Sequence, residues 1–184
     1  MKTYLITDPH YYTTTPKTFQ EALNRSLIKY TPDFVCFRDK TDGNKTDLLN
    51  IFLRETENRH IKRLINGSLK NAVRHSFDGV HLQGSQYGLI AKAKDFGLLV
   101  ITSCHSAKEA LEALSFGSDF ITLSPVFDSP GKGVPFGING FTDILETIDK
   151  TKVFALGGID DNEKAAMVEK LGVFGFASIR YFTK

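Results

Sequence analysis

Eight short runs rich in β-branched and aromatic residues alternate along the chain with segments whose apolar residues have helical spacing. This alternation predicts an α/β protein, and eight units are enough to close a single (β/α)8 barrel, the TIM-barrel fold. Two further observations favour a barrel over an open, doubly wound sheet. The loop after the first strand, "TDPHYYTTTPK", lacks the glycines of a dinucleotide-binding loop. Chemically capable side chains also follow most strands, which places them at one mouth of a barrel.

The predicted strands carry little polar alternation, which is typical of a parallel sheet covered on its faces. In chain order they are "TYLIT", "DFVCF", "KRLI", "DGVHL", "LLVIT", "DFITL", "KVFAL" and "FGFASI". The predicted helices between them are "KTFQEALNRSLIKY", "KTDLLNIFLRETENR", "SAKEALEALSFG", "INGFTDILETID" and "NEKAAMVEKLG". The links after the third and fourth strands, "SLKNAVRHSF" and "QYGLIAKAKDFG", allow only short helices. Glycine follows several of these segments, as expected at helix C-termini.

The length of the chain fits one domain. With 184 residues and 41% hydrophobic residues, the chain can bury one sizeable core, so we expect a single domain over residues 1–184. Little sequence follows the last predicted strand before Lys184. We therefore expect a short barrel whose last helix is truncated or missing. An uncovered eighth strand is also consistent with a homodimer.

Charge and cysteine content narrow the class of protein. The net charge of +2 comes from charges scattered along the chain, which argues against a nucleic-acid or membrane partner. Cys36 and Cys104 each lie in an apolar run, which indicates reduced core thiols rather than a disulfide framework. The start "MKTYLITD" becomes polar too soon for a signal peptide. These features predict a cytoplasmic protein.

Three polar groups after strands are suited to bind or turn over an anionic ligand. Arg38 and Lys40 flank Asp39, and alternation on extended backbone puts both cations on one face, suited to a polyanion. The alternative is that Arg38 and Lys40 are solvated charges at the end of a strand. Asn66 can orient a polar substrate but cannot titrate. His105 can give and take a proton near neutral pH. The alternative for His105 is packing at the start of a helix that Ser106 caps.

The loop "SPVFDSPGKG" and two later turns predict a phosphate site. Lys132 lies in a loop rich in glycine and proline, within residues 124–139, that we expect to act as a lid over the mouth. The alternative interpretation of Lys132 is a surface lysine in a mobile loop. "LGGI", with Gly157 and Gly158, and "SIRYF", with Ile179 and Arg180, can bring backbone N–H groups close to an oxyanion. Two glycines that simply turn a loop are the alternative.

Taken in order, these motifs resemble the thiamine phosphate synthase superfamily, which includes the thiazole tautomerase, or TenI-like, branch. The matching motifs cover nearly the whole chain: "YLITD", "FRDK", "LINGS", "DGVHL", "SCHS", "GSDFITLSPVFDSPGKG", "FALGGI" and "GFASI". The resemblance implies a (β/α)8 barrel. It also implies one of two reactions, joining a pyrimidine diphosphate to a thiazole phosphate, or isomerising a thiazole carboxylate phosphate to its aromatic form.

The resemblance also implies roles for individual residues. Arg38 and Lys40 match the basic pair that binds the pyrimidine diphosphate in synthases, and Asn66 matches the asparagine of an Asn-Asp motif. Ser129 and Lys132 match the first threonine and the lysine of a Thr-x-Thr-Lys loop. The remaining matches are the thiazole-phosphate glycines, at Gly157 and Gly158, and the acid/base histidine of tautomerases, at His105.

Departures from the synthase pattern favour the tautomerase branch. The two aspartates that the resemblance implies as metal ligands are replaced by Gly67 and Gln86. A diphosphate leaving group would then lack its counter-charge, at a cost of several kcal/mol in the transition state. Arg180, at the place of a serine, adds one positive charge where the thiazole phosphate should bind. Two further departures are Cys36 in place of a glutamine and Gly131 in place of the second threonine.

The sequence therefore predicts a TenI-like enzyme of thiamine biosynthesis that needs no cofactor and acts on a small phosphorylated substrate. His105 is its predicted acid/base, and the loops at Lys132, Gly157–Gly158 and Ile179–Arg180 hold the phosphate. Two alternatives stay open. One is a true thiamine phosphate synthase, which would use Mg²⁺ held by other acidic residues. The other is a barrel that binds thiazole or thiamine phosphates without catalysis.

Overall fold

The computed structural model of the chain describes residues 1–42 and 45–184. Within them, eight parallel strands form a closed barrel in which each strand pairs with the next and β1 pairs with β8. The (β/α)8 prediction is confirmed. The strands are β1 Lys2–Ile6, β2 Phe34–Phe37, β3 Lys62–Asn66, β4 Gly79–Leu82, β5 Leu99–Cys104, β6 Phe120–Leu123, β7 Val153–Leu156 and β8 Gly175–Ser178.

Helices of uneven length surround the described part of the barrel. The α-helices are α1 Pro9–Tyr12, α2 Pro16–Tyr30, α3 Thr46–Thr56, α4 Leu69–Arg74, α5 Ile90–Asp95, α6 Ala107–Ser115, α7 Gly137–Leu145 and α8 Asn162–Glu169. Three 3-10 segments lie at Gly84–Leu89, Lys150–Lys152 and Arg180–Thr183. The short α4 and α5 agree with the sparse helical pattern after the third and fourth strands.

α2 shows how sequence pattern and packing agree. Pro16 occupies the first turn, where its missing N–H costs nothing. Phe19, Leu23 and Leu27 follow at four-residue spacing and are buried. One face of the helix therefore packs on the barrel.

Aromatic rings close the lower end of the barrel, where the strands begin. Phe34 and Phe154 lie 5.2 Å apart, and Phe120 stacks on Phe174 with ring centroids 4.3 Å apart. Large side chains thus fill the interior from below. The polar residues of the strand ends remain at the opposite, carboxyl-terminal mouth.

The last strand is followed by the 3-10 turn Arg180–Thr183. Phe182 stacks on Phe176, with 6.0 Å between ring centroids. The Ser26 hydroxyl in α2 donates a hydrogen bond of 2.6 Å to the Phe182 carbonyl. The turn and α2 together cover the outer side of β8.

Cys36 and Cys104 are buried free thiols, as expected. Of the helices within the described residues, none has the length and apolar character to cross a lipid bilayer.

Candidate active site

A pocket of about 500 Å³ opens at the carboxyl ends of the strands. It brings together eight of the ten residues that the sequence singled out. They are Arg38, Lys40, Asn66, His105, Ser129, Lys132, Gly157 and Ile179. Residues from β2, β3, β5, β6, β7 and β8, or directly after them, thus meet in one cavity.

Arg38 and Lys40 face the pocket, and Asp39 faces the other way. The Asp39 carboxylate accepts a hydrogen bond of 2.8 Å from the Thr41 backbone N–H and lies 3.4 Å from the Lys45 ammonium. This is the alternation expected of extended backbone. The Arg38 guanidinium forms an ion pair with the Asp8 carboxylate, which follows β1.

Lys40 lies in a cationic field. The nearby Arg38 charge lowers the pKa of Lys40, and partial burial and the Lys132 charge lower it further, while Asp8 acts in the opposite direction. Lys132 belongs to the loop after β6, which lies across the barrel from β2 in the strand order. The loop therefore carries a lysine across the mouth to the basic pair.

The charged residues that line the described pocket are three cations, Arg38, Lys40 and Lys132, and one carboxylate, Glu109. The Glu109 carboxylate already accepts a hydrogen bond of 2.7 Å from the His105 backbone N–H. Like charges held together raise the free energy of the empty site, and an anion relieves this repulsion. The pocket is therefore suited to an anionic ligand.

His105 is held by the start of α6 and by the loop after β6. Ser106 caps the helix, because its hydroxyl accepts a hydrogen bond of 3.2 Å from the Glu109 backbone N–H. The His105 Nδ1 lies 2.9 Å from the Ser124 carbonyl oxygen. The Ser124 hydroxyl lies farther from Nδ1, at 3.2 Å, and can either donate or accept. The carbonyl can only accept, so the shorter contact assigns the proton to Nδ1, and Nε2 is the basic nitrogen of the neutral ring.

His81 is a residue of the barrel interior and is 3% exposed. Its Nδ1 lies 2.9 Å from the Tyr4 hydroxyl and its Nε2 lies 2.9 Å from the Ser103 hydroxyl. Burial, assisted by the Arg38 charge, lowers the pKa of His81 to about 3. The imidazole is therefore neutral throughout the physiological range.

Asn66 and Gly67 stand at the end of β3, next to β4. The Asn66 side-chain amide donates a hydrogen bond of 3.2 Å to the His81 carbonyl, and the Gly67 N–H donates one of 2.8 Å to the same oxygen. The Gln86 side chain donates a hydrogen bond of 2.9 Å to the Gly67 carbonyl. The positions of the two implied metal ligands are thus bonded to each other as neutral groups.

The two glycines after β7 allow close approach of the loop after β6. A Cβ on Gly157 would lie 2.7 Å from the Pro125 Cα, and one on Gly158 would lie 2.5 Å from the Asp128 carbonyl oxygen. Gly157 lines the pocket, whereas Gly158 does not. Among the loop and turn hydrogen bonds between backbone groups of the described residues, none is donated by the N–H of Gly157 or of Gly158.

Ile179 lines the pocket after β8, but Arg180 lies outside it. The Arg180 guanidinium is 3.3 Å from the Asp160 carboxylate, which also binds Lys164 at 2.6 Å. The positive charge expected beside the phosphate is therefore held by a carboxylate between β7 and α8. Pairing of Arg180 with Asp160 follows from the parallel pairing of β7 with β8, which brings the segments after these two strands together.

Several lining residues were not singled out as binding residues from the sequence. They are Ile6, His81, Gln83, Gly84, Ser85, Tyr87, Ser103, Glu109, Ser124 and Leu156. Glu109 carried a signal, because "SAKE" is the Ser-x-x-Glu pattern of a capping box. Ser103 also carried a signal, because it lies near the end of β5 and two residues before His105, where extended backbone puts both side chains on the same side.

Comparison with known proteins shows the family of the chain. Residues 3–182 match the family described as thiamine monophosphate synthase, TMP-TENI. The chain belongs to this family. A putative thiamine-phosphate synthase of Geobacter sulfurreducens is 34% identical over 172 residues, covering 86% of this chain and 76% of that protein. A thiamine-phosphate synthase of Clostridium novyi is 32% identical over 192 residues, covering 100% of this chain and 91% of that protein.

A solved structure of the thiamine monophosphate synthase family has the same architecture. The thiamine phosphate pyrophosphorylase from Pyrococcus furiosus gives a TM-score of 0.79 at 26% identity. The match covers 97% of this chain and 85% of that one. The family resemblance read from the ordered motifs is thereby confirmed, at the level of the family as a whole.

Proposed function

We propose that this member of the thiamine monophosphate synthase family is a TenI-like thiazole tautomerase in which His105 is the acid/base. The observation that carries the proposal is the fixed orientation of the His105 ring. Its Nδ1 donates to the Ser124 carbonyl at 2.9 Å, which leaves Nε2 as a base available to a ligand in the pocket. The proposed substrate is a small, phosphorylated thiazole carboxylate.

The reaction needs only proton transfer. In the proposed mechanism, Nε2 of His105 removes a proton from the non-aromatic ring, and the imidazolium returns a proton to another atom of the same ring system. Substrate and product are isomers, so the proton balance is zero and no co-reactant is consumed. A positioned general acid/base supplies roughly 10²–10⁴-fold in rate for such a step.

The phosphate is proposed to bind where the loops after β6, β7 and β8 meet. Gly157 and Ile179 line this end of the pocket together with Ser129 and Lys132. The Lys132 N–H donates a hydrogen bond of 3.1 Å to the Ser129 carbonyl, so both residues lie on one turn of the loop. Their hydroxyl and ammonium groups, with nearby N–H groups, are suited to oxyanion binding.

The residues present do not fit the magnesium site of a synthase. At the two positions where the resemblance implies aspartates, Gly67 offers a carbonyl and Gln86 an amide, and the two are bonded to each other. Mg²⁺ is held in proteins by carboxylates and phosphates. Among the described residues, no cluster of three or more His, Cys, Asp or Glu side chains could hold a metal ion. The proposed tautomerisation therefore uses protein side chains alone.

Thiamine phosphate synthesis is the second candidate, and the names of the relatives favour it. The matched proteins of Geobacter sulfurreducens and Clostridium novyi are both described as thiamine-phosphate synthases, the first of them as putative. In this alternative Arg38, Lys40 and Lys132 would bind a pyrimidine diphosphate.

Two parallel assays separate the candidates. Purified protein is incubated with the non-aromatic thiazole carboxylate phosphate in EDTA, and separately with pyrimidine diphosphate, aromatic thiazole phosphate and Mg²⁺. We expect the aromatic isomer in the first assay and no thiamine phosphate in the second. Thiamine phosphate at the rate of an authentic synthase would establish the second candidate. Tight binding without turnover in either assay would indicate a non-catalytic barrel.

A further inference from the structure

A chain of buried hydrogen bonds runs under the pocket, and the proposed mechanism does not use it. It joins the Tyr4 hydroxyl to His81 Nδ1 at 2.9 Å and His81 Nε2 to the Ser103 hydroxyl at 2.9 Å. Tyr4 is fully buried and His81 is 3% exposed. Ser103 lines the pocket two residues before His105 on β5. The chain therefore leads from the barrel interior to the proposed reaction site.

The direction of these hydrogen bonds follows from the groups beside Tyr4. The other polar neighbour of its hydroxyl is the Cys36 thiol, and burial raises the pKa of that thiol to about 12. A neutral thiol is a weak acceptor, and the Cys36 S–H itself points to the Phe37 carbonyl at 3.7 Å. The best acceptor for the phenol O–H is the imidazole nitrogen, so Tyr4 donates to His81 Nδ1.

The protonation of His81 then sets the direction of the next bond. A neutral imidazole has one N–H, and with Nδ1 accepting, that hydrogen is on Nε2. Nε2 donates to the Ser103 oxygen at 2.9 Å, with the Thr122 hydroxyl at a longer 3.4 Å. Because the Ser103 oxygen accepts from below, its own hydrogen is free to point into the pocket.

We propose that Tyr4 and His81 are positioning residues whose hydrogen bonds fix the Ser103 hydroxyl as a donor aimed at the ligand. The partner is an acceptor atom of the ligand, a ring nitrogen or a carboxylate oxygen. Such an atom gains negative charge when a base removes a ring proton, and a preoriented donor stabilises that charge. The identity of the ligand rests on the proposed function, whereas the direction of the hydrogen bonds does not.

The direction can be tested without any ligand. Long-range ¹H–¹⁵N correlation spectra report which imidazole nitrogen carries the hydrogen, and comparison with His81→Gln assigns the His81 signals. We expect an unprotonated Nδ1 and a protonated Nε2. The reverse pattern would mean that Ser103 donates to His81, and it would overturn the proposal.

The functional role requires a double-mutant cycle. Tyr4→Phe removes only the phenol oxygen, and we expect it to lower kcat about tenfold, the size of one hydrogen bond, with the affinity for inorganic phosphate unchanged. In the Ser103→Ala background we expect no further loss from Tyr4→Phe. Independent, multiplicative losses would contradict action through Ser103.

Tyr12→Phe is the matched control. Tyr12 is 1% exposed and its hydroxyl bonds to Ser26 at 3.2 Å, away from the pocket. It should lose stability like Tyr4→Phe but keep kcat and the His81 spectrum. If the wild type turns over no thiazole, the proposed function fails, and affinity for the aromatic thiazole carboxylate phosphate replaces kcat in the cycle. If that molecule does not bind either, the nitrogen signals alone decide the proposal.

Discussion

The side-chain amide of Gln86 donates a hydrogen bond of 2.9 Å to the carbonyl oxygen of Gly67. The Gln86 side-chain oxygen accepts a second bond, of 3.0 Å, from the Gln83 N–H. Gln86 is thus held at both ends by backbone groups. Where the resemblance to synthases implies two carboxylates facing a cation, this protein has a closed, uncharged contact.

Restoring the carboxylates should create a magnesium site. A Cβ on Gly67 would meet the Gln83 and Gln86 side chains at 3.5 and 3.7 Å, which is ordinary contact, and Asp tolerates the positive φ of +71° better than most residues. We expect Gly67→Asp with Gln86→Asp to gain Mg²⁺-dependent thermal stability and calorimetric Mg²⁺ binding. Gly67→Asn with Gln86→Asn is the uncharged control. Equal Mg²⁺ binding by the wild type would contradict this interpretation of the site.

Lys132→Met should raise the pKa of Lys40. The positive charge of Lys132 is one of the causes that lower this pKa, so its removal makes protonation of Lys40 easier. Proton and carbon NMR of the reductively methylated protein, titrated from neutral to alkaline pH, measures the change. The same variant should weaken phosphate binding. Lys92→Met, at an exposed position on α5, should alter neither quantity, and an unchanged Lys40 titration in Lys132→Met would refute the loop geometry.

Gly158→Ala should destabilise the fold. The added Cβ would lie 2.5 Å from the Asp128 carbonyl oxygen, and the φ of +70° disfavours a side chain. We expect a loss of roughly 2–4 kcal/mol in the free energy of unfolding, measured by urea denaturation. Gly88→Ala has nothing within 4 Å of its new Cβ and should change stability by less than about 0.5 kcal/mol. Similar values for both variants would exclude the tight contact.

His81 should make stability fall on acidification. The pKa of His81 is about 3 in the folded protein, because burial and the Arg38 charge lower it. Below the ordinary histidine pKa, the unfolded chain therefore binds a proton at this residue and the folded chain does not. This residue alone contributes a slope of up to about 1.4 kcal/mol per pH unit below pH ~6.5. Urea denaturation at several pH values should show a shallower slope for His81→Gln. An equal slope would show that His81 titrates normally.

Much of the fold followed from local pattern. Runs such as "DFITL" and the four-residue spacing of Phe19, Leu23 and Leu27 reflect single elements, and β-α alternation then fixes the barrel. The face shared by Arg38 and Lys40 also followed from the two-residue period of a strand. These features depend on residues close together in the sequence, so they can be predicted from one sequence.

Contacts between distant segments did not follow from the sequence. The pairing of Arg180 with Asp160 and the bond between Gln86 and Gly67 each join residues about twenty positions apart. Which residues form such pairs depends on which strand ends become neighbours in the folded barrel and on the conformation of the loops. The chain from Tyr4 to Ser103 spans three strands and likewise exists only after closure.

His105 is proposed to move a proton without help from a metal, and the most direct test compares the wild type with His105→Gln in EDTA. The non-aromatic thiazole carboxylate phosphate is the substrate, and the aromatic isomer is quantified by chromatography. We expect turnover by the wild type and a loss of roughly 10²–10⁴-fold in the variant, with phosphate affinity retained. Equal turnover by the two proteins, or wild-type turnover abolished by EDTA, would contradict the account.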